Sequence, residues 1–126
     1  MRLIRRFAHQ VAERFHPHKI VLFGSHAYGK PHADSDVDIL VIMPARNQLD
    51  QAFKIHSTIL PNFPLDIIVR TPHNVRWRMA AGDSLLREIM AKGKVLYEED
   101  HARLGQKSRR RLSSRRAPRA RVRTVS

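Results

Sequence analysis

Apolar and polar positions alternate along this chain in short, well-marked segments. Leu3, Ile4, Phe7, Val11, Ala12 and Phe15 recur at helical spacing, with Arg5, Arg6, Gln10 and Glu13 between them. That pattern predicts an amphipathic helix ending near His16-Pro17. Ile20 to Phe23 and Ile39 to Ile42 are apolar runs with the length and β-branched content of buried strands. The strands are expected over Lys19 to Phe23 and Val37 to Met43, the second stopped by Pro44. Leu49, Ala52, Phe53, His56, Ile59 and Leu60 return to helical spacing as far as Pro61. This helix is expected to cross the sheet toward a third strand, Leu65 to Val69. Thr71-Pro72 reads as the N-cap and first position of a helix carrying Val75, Trp77 and Met79, with Trp77 as a core anchor rather than a base-stacking surface. After Gly82-Asp83, a further helix from about Ser84 to Ala91 buries Leu85, Leu86, Ile89 and Met90 and stops at Gly93. Val95, Leu96 and Tyr97 make a short last strand. The fold class is α/β (α+β), a small mixed sheet with flanking helices.

The candidate chemistry lies between the first two strands. Gly24 and Ser25 stand at the exit of one; Asp36 and Asp38 stand at the entry of the next. A residue without Cβ lets the backbone approach a ligand closely, and amides after Gly24 can face an anion if a helix begins at Ser25. Strand residues two apart face the same side, so Asp36 and Asp38 point one way while Val37 and Ile39 point into the core. Paired carboxylates raise each other's pKa unless a cation sits between them. Oxygen-only donors of this kind suit Mg²⁺, which takes one or two carboxylates plus substrate phosphate oxygens. The competing reading is a surface loop whose Asp34, Ser35 and Asp36 merely cap turns. Gly24 to Lys30 also matches the start of a P-loop, G-x-x-x-x-G-K, but Pro31 replaces the Ser or Thr that holds metal there and disfavours a helix opening at Lys30.

Gly24-Ser25, Gly29 and Ser35-Asp36-Val37-Asp38, followed by an apolar strand, resemble the DNA polymerase beta-like nucleotidyltransferase superfamily. More narrowly, they are similar to the stand-alone minimal nucleotidyltransferases, the MNT proteins. The Ile-Met-Ala-Lys-Gly-Lys-Val-Leu-Tyr run at 89–97 resembles the close of such a domain. Many members carry arginine in the turn where this chain has His26 and Tyr28. The resemblance covers roughly residues 1 to 99 and implies the polymerase beta-like fold, with Asp66 as a third acid on a neighbouring strand. It further implies two Mg²⁺ ions held by Asp36, Asp38 and Asp66, ATP as substrate, and a nucleotide cradle at Gly24, Ser25 and Gly29 with Lys30 assisting. Of the histidines, His26 and His32 are near enough in sequence to touch a triphosphate. MNT proteins are often antitoxins of HEPN-type toxins, and some transfer AMP to a tyrosine of that partner. A chain with about 100 ordered residues has little room for its own acceptor-binding domain, which favours an acceptor brought by another protein. The alternative is a module of the same fold that binds nucleotide or toxin without turnover.

Composition qualifies this picture in two places. The net charge of +13 is uneven: residues 1–100 hold 14 Lys/Arg and all 11 acids, whereas 101–126 hold 10 Lys/Arg and none. The organisation expected is therefore a domain at 1–99 and a basic, disordered tail at 100–126. The tail is suited at most to weak, salt-sensitive contact with nucleic acid. The absence of cysteine excludes disulfides and thiolate metal sites. No secretory h-region and no span-length apolar run is present, so a cytoplasmic location without membrane contact is expected.

Overall fold

The computed structural model describes residues 1–31 and 35–99. The elements run α1 (Arg2–Phe15), β1 (Lys19–Phe23), α2 (Ser25–Tyr28), β2 (Val37–Ile42), α3 (Gln48–Thr58), β3 (Leu65–Arg70), α4 (Pro72–Ala80), α5 (Ser84–Lys92) and β4 (Lys94–Glu98). The strands form one sheet in the order β3-β2-β1-β4. β1 is antiparallel to β2 and to β4, while β2 and β3 run parallel. The sheet is thus mixed, as the strand pattern predicts.

Strand alternation sorts the core into two layers. On one face Ile20, Leu22, Ile39, Val41 and Val69 meet Ile4, Phe7 and Val11 of α1 and Ala52, Ile55 and Ile59 of the α3 segment. On the other, Val21, Phe23, Leu40 and Ile42 meet Val75 of α4 and Leu86 and Ile89 of α5. Burying the larger aliphatic side chains contributes about 1.5–3 kcal/mol each before conformational entropy is set against it. The helix starts are those that the sequence signals. Thr71 accepts a hydrogen bond from the Asn74 amide at 3.1 Å, and Asp83 accepts one from Leu86 at 3.0 Å. Asn47 caps α3 in the same way, accepting from Asp50 at 3.0 Å.

Several expected core faces are rotated. Leu49 and Phe53 are 80% and 74% exposed, and Leu60 is exposed too, whereas Ile55 is fully buried. α3 carries two apolar stripes, and the sheet takes the one formed by Ala52, Ile55 and Ile59. Trp77 is 61% exposed and is not a core anchor. It lies two residues from Val75, and positions i and i+2 of a helix cannot share a face. Leu3 and Leu85 are exposed as well. The second strand ends at Ile42 rather than Met43, although Met43 is buried.

Candidate active site

β1 ends at Phe23, and Gly24 turns the chain into the single-turn helix α2. Gly24 has φ 78° and ψ −158°, a conformation essentially reserved for glycine. The amides of Ala27 and Tyr28 both donate to the Gly24 carbonyl at 3.0 Å, closing the turn. Helix geometry leaves the first amides, those of Ser25 and His26, without a carbonyl inside the turn. His26 is held across the loop by a 3.2 Å contact between its Nε2 and the Ser35 carbonyl. α2 ends at Tyr28, so Lys30 opens no helix and the P-loop reading is set aside. Lys30 is exposed. Gly29 closes the turn with its amide donating to the Ser25 carbonyl at 3.1 Å, and any Cβ there would lie 2.9 Å from the Ser25 Cα.

The register of the strands decides which acids meet. Phe23 is the antiparallel partner of Asp38, which places the Gly24 turn beside that carboxylate. On the other side Asp38 is the parallel partner of Asp66. Adjacent strands lie about 4.8 Å apart and paired residues share a face, so Asp38 and Asp66 are neighbours on the sheet. That face is the one α4 and α5 cover further along, at Leu40 and Ile42. Asp38 is half-buried, and Asp36 and Asp66 are exposed. Burial, and then the charges of Asp66 and Asp36, raise the Asp38 carboxyl above the ordinary carboxylate value, with His26 opposing more weakly. His32 and Asp34 lie outside the described residues, as does the basic tail.

The donor set consists of hard carboxylate oxygens and fits Mg²⁺ in chemistry. Among the described residues, no group of three or more His, Cys, Asp or Glu is gathered tightly enough to be a metal centre as it stands. A like-charged trio has no reason to draw together without a cation between its members.

A family model described as "Polymerase beta, Nucleotidyltransferase" matches residues 7–102. The chain belongs to this nucleotidyltransferase family. Solved structures share the nucleotidyltransferase fold at low identity. One, from Sulfolobus solfataricus and assigned as a nucleotidyltransferase, is 19% identical with a TM-score of 0.55, covering 79% of this chain and 81% of its own. A mutant of the toxin–antitoxin MntA-HpeT is 16% identical with a TM-score of 0.50, and a toxin–antitoxin with AMP-PNP is 19% identical with a TM-score of 0.50. Each of these two covers 84% of this chain and 93% of its own. A search of curated proteins gives no match. No helix among the described residues is long and apolar enough to cross a membrane.

A cavity of about 750 Å³ among the described residues of this nucleotidyltransferase domain lies away from the Gly24 turn. It follows the outer edge of β3 and touches the acidic cluster only at Asp66. Arg46, Arg70 and His73 line it, and the sequence reading passed over all three. A signal was present: Arg46 directly precedes the N-cap Asn47, and Arg70 directly precedes the N-cap Thr71.

Proposed function

We propose that this chain transfers a nucleoside monophosphate, AMP from ATP, to a hydroxyl of a partner protein, in the manner of an antitoxin acting on a HEPN-type toxin. The observation that carries the reading is the parallel pairing of Asp38 with Asp66 beside the Gly24-Ser25 turn. Ser25 and the amides after Gly24 bind the β- and γ-phosphates, with Gly29 letting the turn close and Lys30 adding a cation at its rim. Asp36 and Asp38 would hold a Mg²⁺ that neutralises phosphate charge, and a second ion shared with Asp66 would lower the pKa of the acceptor hydroxyl. Asp66, exposed and nearest the open edge, takes the acceptor proton. The acceptor oxygen then bonds to the α-phosphorus as the bond to pyrophosphate breaks, and the leaving charge falls on the Gly24-Ser25 turn. Membership of the nucleotidyltransferase family supports transfer as the reaction type. The toxin–antitoxin fold relatives, one of them with AMP-PNP, support ATP and a protein partner.

The test is incubation of the full chain with α-labelled ATP, Mg²⁺ and candidate acceptor proteins, the product of an adjacent reading frame among them. Label on the acceptor that disappears in Asp38→Asn and with chelator is the expected result. Nucleotide binding without transfer to any acceptor would overturn it in favour of a non-catalytic binding module.

A further inference from the structure

The groove along β3 is built from more than an empty edge. Its floor is the strand from Asp66 to Arg70, the last strand of the sheet on that side. An edge strand presents backbone N–H and C=O groups to whatever lies alongside it. One wall is the first turn of α3, where Leu49 and Ala52 are apolar. At the far end two helices begin together, and the Gln48 side chain ties them by accepting the Thr71 amide at 2.9 Å. Arg46, Arg70 and His73 gather around those two positive helix ends. A second hollow of about 510 Å³, lined by Pro44, Ala45, Arg46, Thr71 and His73, extends the basic end.

Among the described residues neither Arg46 nor Arg70 forms a salt bridge, although Arg70 feels the Asp83 carboxylate and the Arg78 guanidinium at longer range. The Arg70 guanidinium donates to the Val69 carbonyl at 2.9 Å. The groove is therefore polarised, with an acid at the Asp66 end and the Arg46 and Arg70 cations at the other. Asp66 and Arg70 stand four positions apart on the strand, about 13 Å.

We propose that this groove docks the acceptor, and that its occupant is an extended acidic polypeptide segment. The segment lies beside β3 as an added strand, with a carboxylate on Arg46 and Arg70 and a hydroxyl-bearing residue about four positions away, at Asp66. Charge selects this occupant. The chain's own residues 101–126 carry 10 Lys/Arg and no acid, so they would meet repulsion at the basic end. The strand edge and the apolar wall at Leu49 favour a polypeptide over a nucleic acid, which has no backbone to pair with a strand. The role of the hydroxyl rests on the transfer reading above; the docking itself does not.

The probe is a fluorescein-labelled peptide of alternating Val and Glu with a single Tyr four residues from a Glu, titrated against the full chain without nucleotide. It should bind in a salt-sensitive way, slow amide exchange within residues 66–70, and bind Asp38→Asn as it binds the wild type. A version with Lys for Glu should not bind. Arg46→Glu should weaken binding about tenfold or more, and Arg46→Gln by less, with thermal melts of both unchanged. Peptide affinity indifferent to both substitutions, or unaltered exchange at 66–70, overturns the proposal. So does a single-stranded RNA oligonucleotide that binds with the same Arg46 dependence in place of the peptide. Peptide that docks with these signatures but is never labelled from α-labelled ATP keeps the groove and removes the transfer reading. Transfer to a free tyrosine ester without peptide docking does the reverse.

Discussion

Gly24 and Asp38 sit so close that a Cβ at position 24 would overlap the Asp38 Oδ2 atom. The glycine serves two needs at once, the positive φ of the turn and room for the carboxylate. Gly24→Ala is expected to cost on the order of 1–3 kcal/mol in backbone strain. It should also push the Asp38 carboxylate out of place, because a short side chain cannot swing its end away freely. Calorimetric titration with ATP and Mg²⁺ should show affinity reduced far more than urea unfolding shows stability reduced. Unchanged nucleotide affinity would mean that the cradle is elsewhere.

Asp38 itself works against the metal-free fold. Its pKa is raised from the ordinary value of 3.8 by burial and by Asp66 and Asp36, so the native state holds its proton more tightly than the unfolded chain does. The native advantage is complete below 3.8 and is lost as pH rises through the raised value. Asp38→Asn should therefore melt above wild type at neutral pH in chelator, by on the order of 1 kcal/mol. The gap should close in acid, and added Mg²⁺ should stabilise the wild type but not the variant. A variant less stable than wild type in chelator at pH 7 would contradict this account.

Asp66 is exposed and lies on the edge strand, so its removal should spare both the fold and nucleotide binding. Asp66→Asn is expected to reduce transfer by about 10²–10⁴-fold, as loss of a proton acceptor does. The affinity for ATP should change little, because the phosphate cradle is on the far side of Asp38. Single-turnover transfer measured next to ATP binding separates the two effects. Equal losses in both would assign Asp66 to nucleotide binding.

Two glycines outside the site should rank otherwise than their φ values alone suggest. Gly82 has φ 91° but open space where a Cβ would go, so Gly82→Ala should cost about 1–2 kcal/mol of backbone strain. Gly93 has an ordinary φ of −64°, yet its Cβ would lie 2.5 Å from both the Ile89 carbonyl oxygen and Val21 Cγ1. Neither neighbour is free to move, one being backbone and the other buried in the core. Gly93→Ala should be at least as costly, about 1–3 kcal/mol, and its shift in urea midpoint should equal or exceed that of Gly82→Ala.

Local chemistry was enough to read much of this protein from its chain. Thr71-Pro72 and Asp83 announce helix starts because their side chains bond amides only three residues away, and the runs at 20–23 and 39–42 announce strands because full burial demands unbroken apolar stretches. Gly24-Ser25 and the paired acids at 36 and 38 were legible for the same reason, since turn and strand geometry act within a few residues. Partners distant in the chain were another matter. Asp66 was placed beside Asp38 by family likeness, and only the parallel register of β2 and β3 puts the two opposite each other. Which stripe of α3 is buried, why Trp77 faces outward, and the basic groove beyond β3 follow from how helices seat on a particular sheet face. Periodicity shows that a helix has an apolar side; the layer that it packs against chooses which side, and leaves an edge open.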